Sequence, residues 1–102
     1  MKRLLAVPAL FLAASAMAEC PARMPADQPS VPNGEQASAV EMYEAQQAVN
    51  AYVDAIETYL DCRTGLHPLQ TSRSIYLAES AADAYNTELA KFRVQERMLA
   101  DN

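Results

Sequence analysis

Cys20 and Cys62 are the only two cysteines in the chain. Between them lie first a proline-rich segment and then a long stretch with helical periodicity. Joining them closes a loop of 42 residues, and the chain between them must then bring its ends together. Whether they join depends on the compartment, and the first residues bear on that. Lys2 and Arg3 give a positive start, residues 4–14 are an apolar run, and Ala16-Met17-Ala18 puts small residues where a signal peptidase reads. This order describes a secretory signal over residues 1–18, cut between Ala18 and Glu19, so Ala16, Ala18 and Glu19 are the cleavage residues. The apolar run is short of the about 20 residues that span a bilayer, and Pro8 interrupts it. Glu19 stands directly before Cys20, where lipid attachment wants a small residue. No later segment is apolar enough to cross a membrane. The expectation is a periplasmic or secreted chain with no membrane span after signal removal. There, a pair of cysteines reads as a disulfide.

Residues 19–34 form an arm carrying Pro21, Pro25, Pro29 and Pro32. Prolines three to four residues apart forbid a helix and favour an extended, polyproline-like path. Pro32-Asn33-Gly34 is a turn signal. Residues 35–102 then read as a helical hairpin. The first helix is expected over 35–64, or from Ser38, because Ser38 and Glu41 fit the reciprocal capping box. Met42, Ala45, Val49, Tyr52, Ile56 and Tyr59 recur at gaps of three and four and describe one face, which Val53 and Leu60 widen. Gly65 is placed as a left-handed helix stop, with Leu66 folding back on Leu60. A loop is expected over 65–71, since Pro68 bars a continuous helix. The second helix, 72–100, carries the stripe Ile75, Ala78, Ala82, Tyr85, Leu89, Phe92 and Leu99. Glu96 falls where an apolar residue is due, so the last turns are expected to fray or to run past the core.

Two such helices joined by a short loop pack antiparallel. Folding about Pro68 sets Ile56 near Ala78, Tyr52 near Ala82, Val49 near Tyr85, Ala45 near Leu89 and Met42 near Phe92. The arm completes the picture. A helix from 35 to 62 is about 40 Å long, and the arm from 20 to 34 reaches about 43 Å in polyproline form. If the chain reverses at Asn33-Gly34, the arm ends beside Cys62 and the disulfide staples it on. The fold class is therefore all-α: an antiparallel, coiled-coil-like two-helix hairpin with an extended arm tied by one disulfide.

Charge narrows the partners. The chain has 13 acidic and 8 basic residues, a net of −5. Loss of Lys2 and Arg3 leaves 6 basic residues and a net of −7. Such an acidic chain excludes nucleic acid and anionic lipid, which need basic patches, and favours basic partners. With Gly34 and Gly65 as its only glycines, it builds no phosphate-cradling loop.

The chemistry-bearing residues are few. Cys20 and Cys62 are not a Cys-x-x-Cys pair, and no thioredoxin-like strands surround them, which favours a structural bond over a redox one. Together with His67, the only histidine, they would suit a metal with an open position; a loop histidine beside Pro68 reads more simply as an exposed side chain. Asp54, Glu57 and Asp61 form an acidic stripe on the first helix, pointing away from the seam. They read as a solvated face that would also suit calcium or a basic partner. Tyr43 and Tyr76 fall off the apolar stripes and are weak candidates for partner contact. No nucleophile has a base, and a hairpin offers no deep pocket for paired carboxylates.

Cys20-Pro21, the prolines to Pro32, Gly34, Met42, Gln46-Gln47, Tyr59-Leu60-Asp61-Cys62 and Tyr85-Asn86 form a string. It resembles a group of small exported proteins of Gram-negative bacteria that carry a signal peptide, a Cys-Pro arm and a helix ending near Tyr-Leu-x-Cys. The resemblance implies a periplasmic address and carries no activity. The leading expectation is a non-catalytic interaction or structural module without cofactor or metal. It would act on an unknown protein partner or by self-association into a four-helix arrangement. The alternatives are a metal- or thiol-handling protein using Cys20, Cys62 and His67, and an exported enzyme inhibitor.

Overall fold

The computed structural model describes residues 20–25 and 27–101. Residues 1–18, expected from sequence to be a secretory signal, and the expected cleavage residues Ala16, Ala18 and Glu19 lie outside them. Within the described residues there are two helices and no strand: α1, Ala39–Cys62, and α2, Pro68–Ala100, packed against each other.

The helix α1 starts where its cap is. Glu41 N donates to Ser38 Oγ at 3.1 Å, and Ser38 N donates to Glu41 Oε1 at 2.8 Å. Two otherwise unsatisfied N–H groups are closed reciprocally. Residues 35–38 are outside the helix because Asn33 holds them in a turn. Its side chain accepts from Glu35 N, and its carbonyl accepts from Gln36 N and Ala37 N. The buried face is Met42, Ala45, Val49, Tyr52, Ile56 and Tyr59, as the spacing predicts. The helix ends at Cys62, not at 64. Arg63 turns extended and donates its N–H to Tyr59 O. Gly65 does take a left-handed φ of 78°, but it bends the loop beyond the helix instead of capping it.

Four of the residues assigned from sequence to the loop 65–71 belong to α2. Pro68 is its first residue, a position whose N–H would be unbonded in any case. His67 supplies the cap: Leu69 N donates to its Nδ1 and its own N–H reaches Gln70 Oε1, both at 3.0 Å. The proline starts the second helix, where the sequence suggested only a break.

The face of α2 also differs from expectation. Ser74, Ala81 and Tyr85 are its buried residues. Ala78, Leu89 and Phe92 pack at the core's edge with Leu77. Ile75 is 44% exposed and Leu99 66% exposed. The reason is that α2 has two neighbours. It meets α1 on one side and the arm on the other, so burial centres between them and Ile75 is left at the margin. At the far end α2 has nine residues more than α1, 33 against 24. It stays helical to Ala100 while Leu99 runs past the core.

The arm is the third layer. Its Met24 and Val31, with Ala37 after the turn, pack on the core. It is pinned at both ends. At the start, Cys20 and Cys62 are bonded with Cα atoms 5.5 Å apart. At the finish, buried Gly34 presses on the backbone of α2. A Cβ there would overlap the Glu88 carbonyl oxygen and stand 2.8 Å from its carbon and 3.0 Å from Phe92 N. Between these pins, the Ser74 hydroxyl lies 2.8 Å from Gln70 O and 2.9 Å from Met24 Sδ.

Two consequences are measurable by thermal unfolding. Closing a 42-residue loop is worth about 4 kcal/mol in the chain-entropy model, so Cys20→Ser or Cys62→Ser should lower Tm by about 15–30 °C. An unchanged Tm would remove the staple from the account. Gly34→Ala should cost about 1–3 kcal/mol, as overpacking against a rigid neighbour does.

Candidate functional site

The arm fills one of the two grooves that run along a helical hairpin. The other groove is open. Val53, Ile56, Glu57 and Leu60 of α1 line it with Ile75, Ala78, Glu79 and Ala82 of α2, around a hollow of about 270 Å³. Ile56 is fully buried and Val53 and Leu60 half-buried. Val53, Ile56 and Leu60 form the α1 wall of the hollow and Ile75, Ala78 and Ala82 the α2 wall. Ala78 and Ala82, one turn apart, leave the depth; larger side chains there would close it.

Both charged residues in the lining, Glu57 and Glu79, are acidic. Asp54 and Asp61 share the face of Glu57 by helical spacing and are exposed. The stripe Asp54, Glu57 and Asp61 thus borders a groove through Glu57, where the sequence placed it simply away from the seam. The nearby Arg63 guanidinium lies 5.9 Å from the Tyr59 ring centroid.

The two off-stripe tyrosines are not brought together. Tyr76, 65% exposed, lines an open cleft on the arm side with Pro29, Val31, Ser80 and Asp83. Tyr43, 61% exposed, lies on α1 about four turns before Glu57. Cys20 and Cys62 hold each other, and a bonded sulfur offers no thiolate to a metal. The His67 Nδ1 is occupied as a helix cap. Among the described residues no three His, Cys, Asp or Glu side chains gather as a metal site, and no helix is long and apolar enough to cross a membrane.

One polar contact matters to the site and was missed in the sequence. Gly34 N donates to Glu88 Oε1 at 2.9 Å, and Lys91 Nζ donates to Glu88 Oε2 at 3.1 Å. The Gly34 bond first, then Lys91, hold the Glu88 carboxyl below its ordinary value of 4.5, against a smaller opposing effect of burial. No spacing rule links residues 54 apart, so nothing in the sequence singled out Glu88. Ile75 was missed in another way. Its spacing places it on the core stripe, but spacing does not encode which side of α2 the arm takes.

Comparison of the chain with known protein families, with curated proteins and with solved structures finds no match.

The Glu88 contact has a pH signature. A carboxyl with a depressed folded pKa contributes stability above its unfolded value, and that contribution is lost as pH falls through the folded value. The Tm should therefore decline as pH is lowered from about 4.5. Glu88→Gln should show a lower Tm at neutral pH and a shallower acid decline. Parallel acid limbs for the two proteins would show that Glu88 does not carry the effect.

Proposed function

We propose that this chain is an exported, non-catalytic interaction module that receives a protein partner in the groove the arm leaves open. The observation that carries the reading is the asymmetry of the hairpin. One groove is filled by the chain's own arm, and the opposite one keeps Val53, Leu60, Ile75, Ala78 and Ala82 accessible around an apolar hollow. The hollow is below the about 300–1,000 Å³ common for small-molecule pockets. It suits one or two apolar side chains of a macromolecule.

Export to the periplasm or the medium is part of the same proposal. It is supported by the charged, apolar and small-residue order of residues 1–18 and by a disulfide that closes the arm, a bond that persists in oxidising compartments. An exported inhibitor is a special case of the same module. The acidic rim favours it where the partner is an enzyme with a basic surface.

The test is in situ. A photo-crosslinking residue placed at Ile75, on the groove wall, should give an adduct with another protein when the chain is exported with its own leader. The same residue at Ala51, an exposed position off the seam, should give none. Equal labelling from both positions, or none from Ile75, would refute the groove as the working surface.

A further inference from the structure

We infer that the partner's contacting element is a basic amphipathic helix, about two to three turns long, lying along the arm-free groove. The inference rests on the groove reading above and adds the chemistry of the occupant.

Three observations point the same way. The first is shape. The groove lies between two antiparallel helices, and its walls run from Val53 to Leu60 and from Ile75 to Ala82. That is about 10 Å of wall, or two helical turns. Ridges of a third helix pack into such a groove, with apolar anchors at i, i+3 or i+4 and i+7. The notch over Ala78 and Ala82, backed by Ile56, takes one large anchor such as Leu or Phe.

The second is charge. Glu57 and Glu79 stand on opposite walls of the groove, and Asp54 and Asp61 extend the acidic side along α1. In α1 there are five acidic residues and no basic one. A helix carrying Lys or Arg on both flanks of its apolar stripe would meet a carboxylate on each side.

The third is what the same charges disfavour. A second copy docked face to face would set Glu57 and Glu79 against the same carboxylates, and like charges across an interface count against the pairing. The net charge of −5 per chain adds to this. An anionic lipid surface is opposed by the same field.

The probes are two synthetic helical peptides with one Leu stripe, flanked by Lys in one and by Glu in the other. Each is titrated by fluorescence anisotropy into the disulfide-bonded chain at about 0.15 M salt. The Lys peptide should bind about tenfold or more tighter than the Glu peptide, with the preference shrinking as salt rises. Both rim glutamates are exposed, so Glu57→Lys/Glu79→Lys should fold normally and reverse the preference. Equal affinities for the two peptides, or a preference unmoved by the double variant, would overturn the inference. So would a concentration-dependent dimer in sedimentation that blocks the peptide, since the occupant would then be a second copy. Mapping the Ile75 adduct separates this proposal from the one beneath it. A crosslinked segment that is helical and basic supports both. A partner segment that is acidic or extended overturns the basic helix and leaves the groove standing. No adduct removes both.

Discussion

The arm's two attachments decide everything else in this molecule. A bare hairpin buries one stripe from each helix, a thin core for a chain of this size. Here Cys20 is bonded to Cys62 at one end of α1, and Gly34 rests on the backbone of α2 near the other. The segment between them has no choice but to lie along the helices. Met24 and Val31 enter the core, and Ser74 and Ala81 of α2 become buried. The disulfide limits the unfolded chain, while the Gly34–Glu88 contact selects where the arm lands.

A third layer on one side also creates the difference between the two sides. The arm side is furnished with prolines and carries an open, partly polar cleft between the arm and α2. The opposite side keeps an apolar hollow with acidic walls. The same residues that thin the second helix at Ala78 and Ala82 leave room there, and the same register that buries Ile56 sets it as the floor. Fold and candidate function are thus linked by one placement. Had the arm taken the other groove, Ile75 would be core and the accessible surface would be polar, with Ser80, Asp83 and Thr87.

Much of this was legible in the residues. The six buried positions of α1 follow from their spacing, and Ser38 with Glu41 marks the cap, because both are local patterns that the backbone reads within one turn. The disulfide follows from the two cysteines of a chain expected to be exported, and the matching lengths of arm and helix let Cys20 reach Cys62. The second helix was read less well. His67 is an unusual cap, and Pro68 both breaks and begins helices, so α2 begins four residues before the start that spacing predicts. Its stripe was assigned as though α1 were its only neighbour. With two neighbours the buried arc shifts, and Ser74 goes in while Ile75 comes out. The candidate groove was half visible: Asp54, Glu57 and Asp61 were recognised as a stripe, but the wall across from them was not.

By itself, then, the sequence determined the parts: an extended arm, because prolines every three or four residues permit nothing else; two amphipathic helices, because their apolar periods are 3.6; a reversal near Pro68; and the pairing of the only two cysteines. Each of these is a local or near-local rule, or a count. Tertiary structure alone decided which groove the arm fills, that Glu88 receives the Gly34 amide, and that Glu57 and Glu79 line one open hollow from different helices. Those facts depend on side chains far apart in the chain meeting at one place, and such a meeting depends on packing in three dimensions that no spacing along the chain encodes.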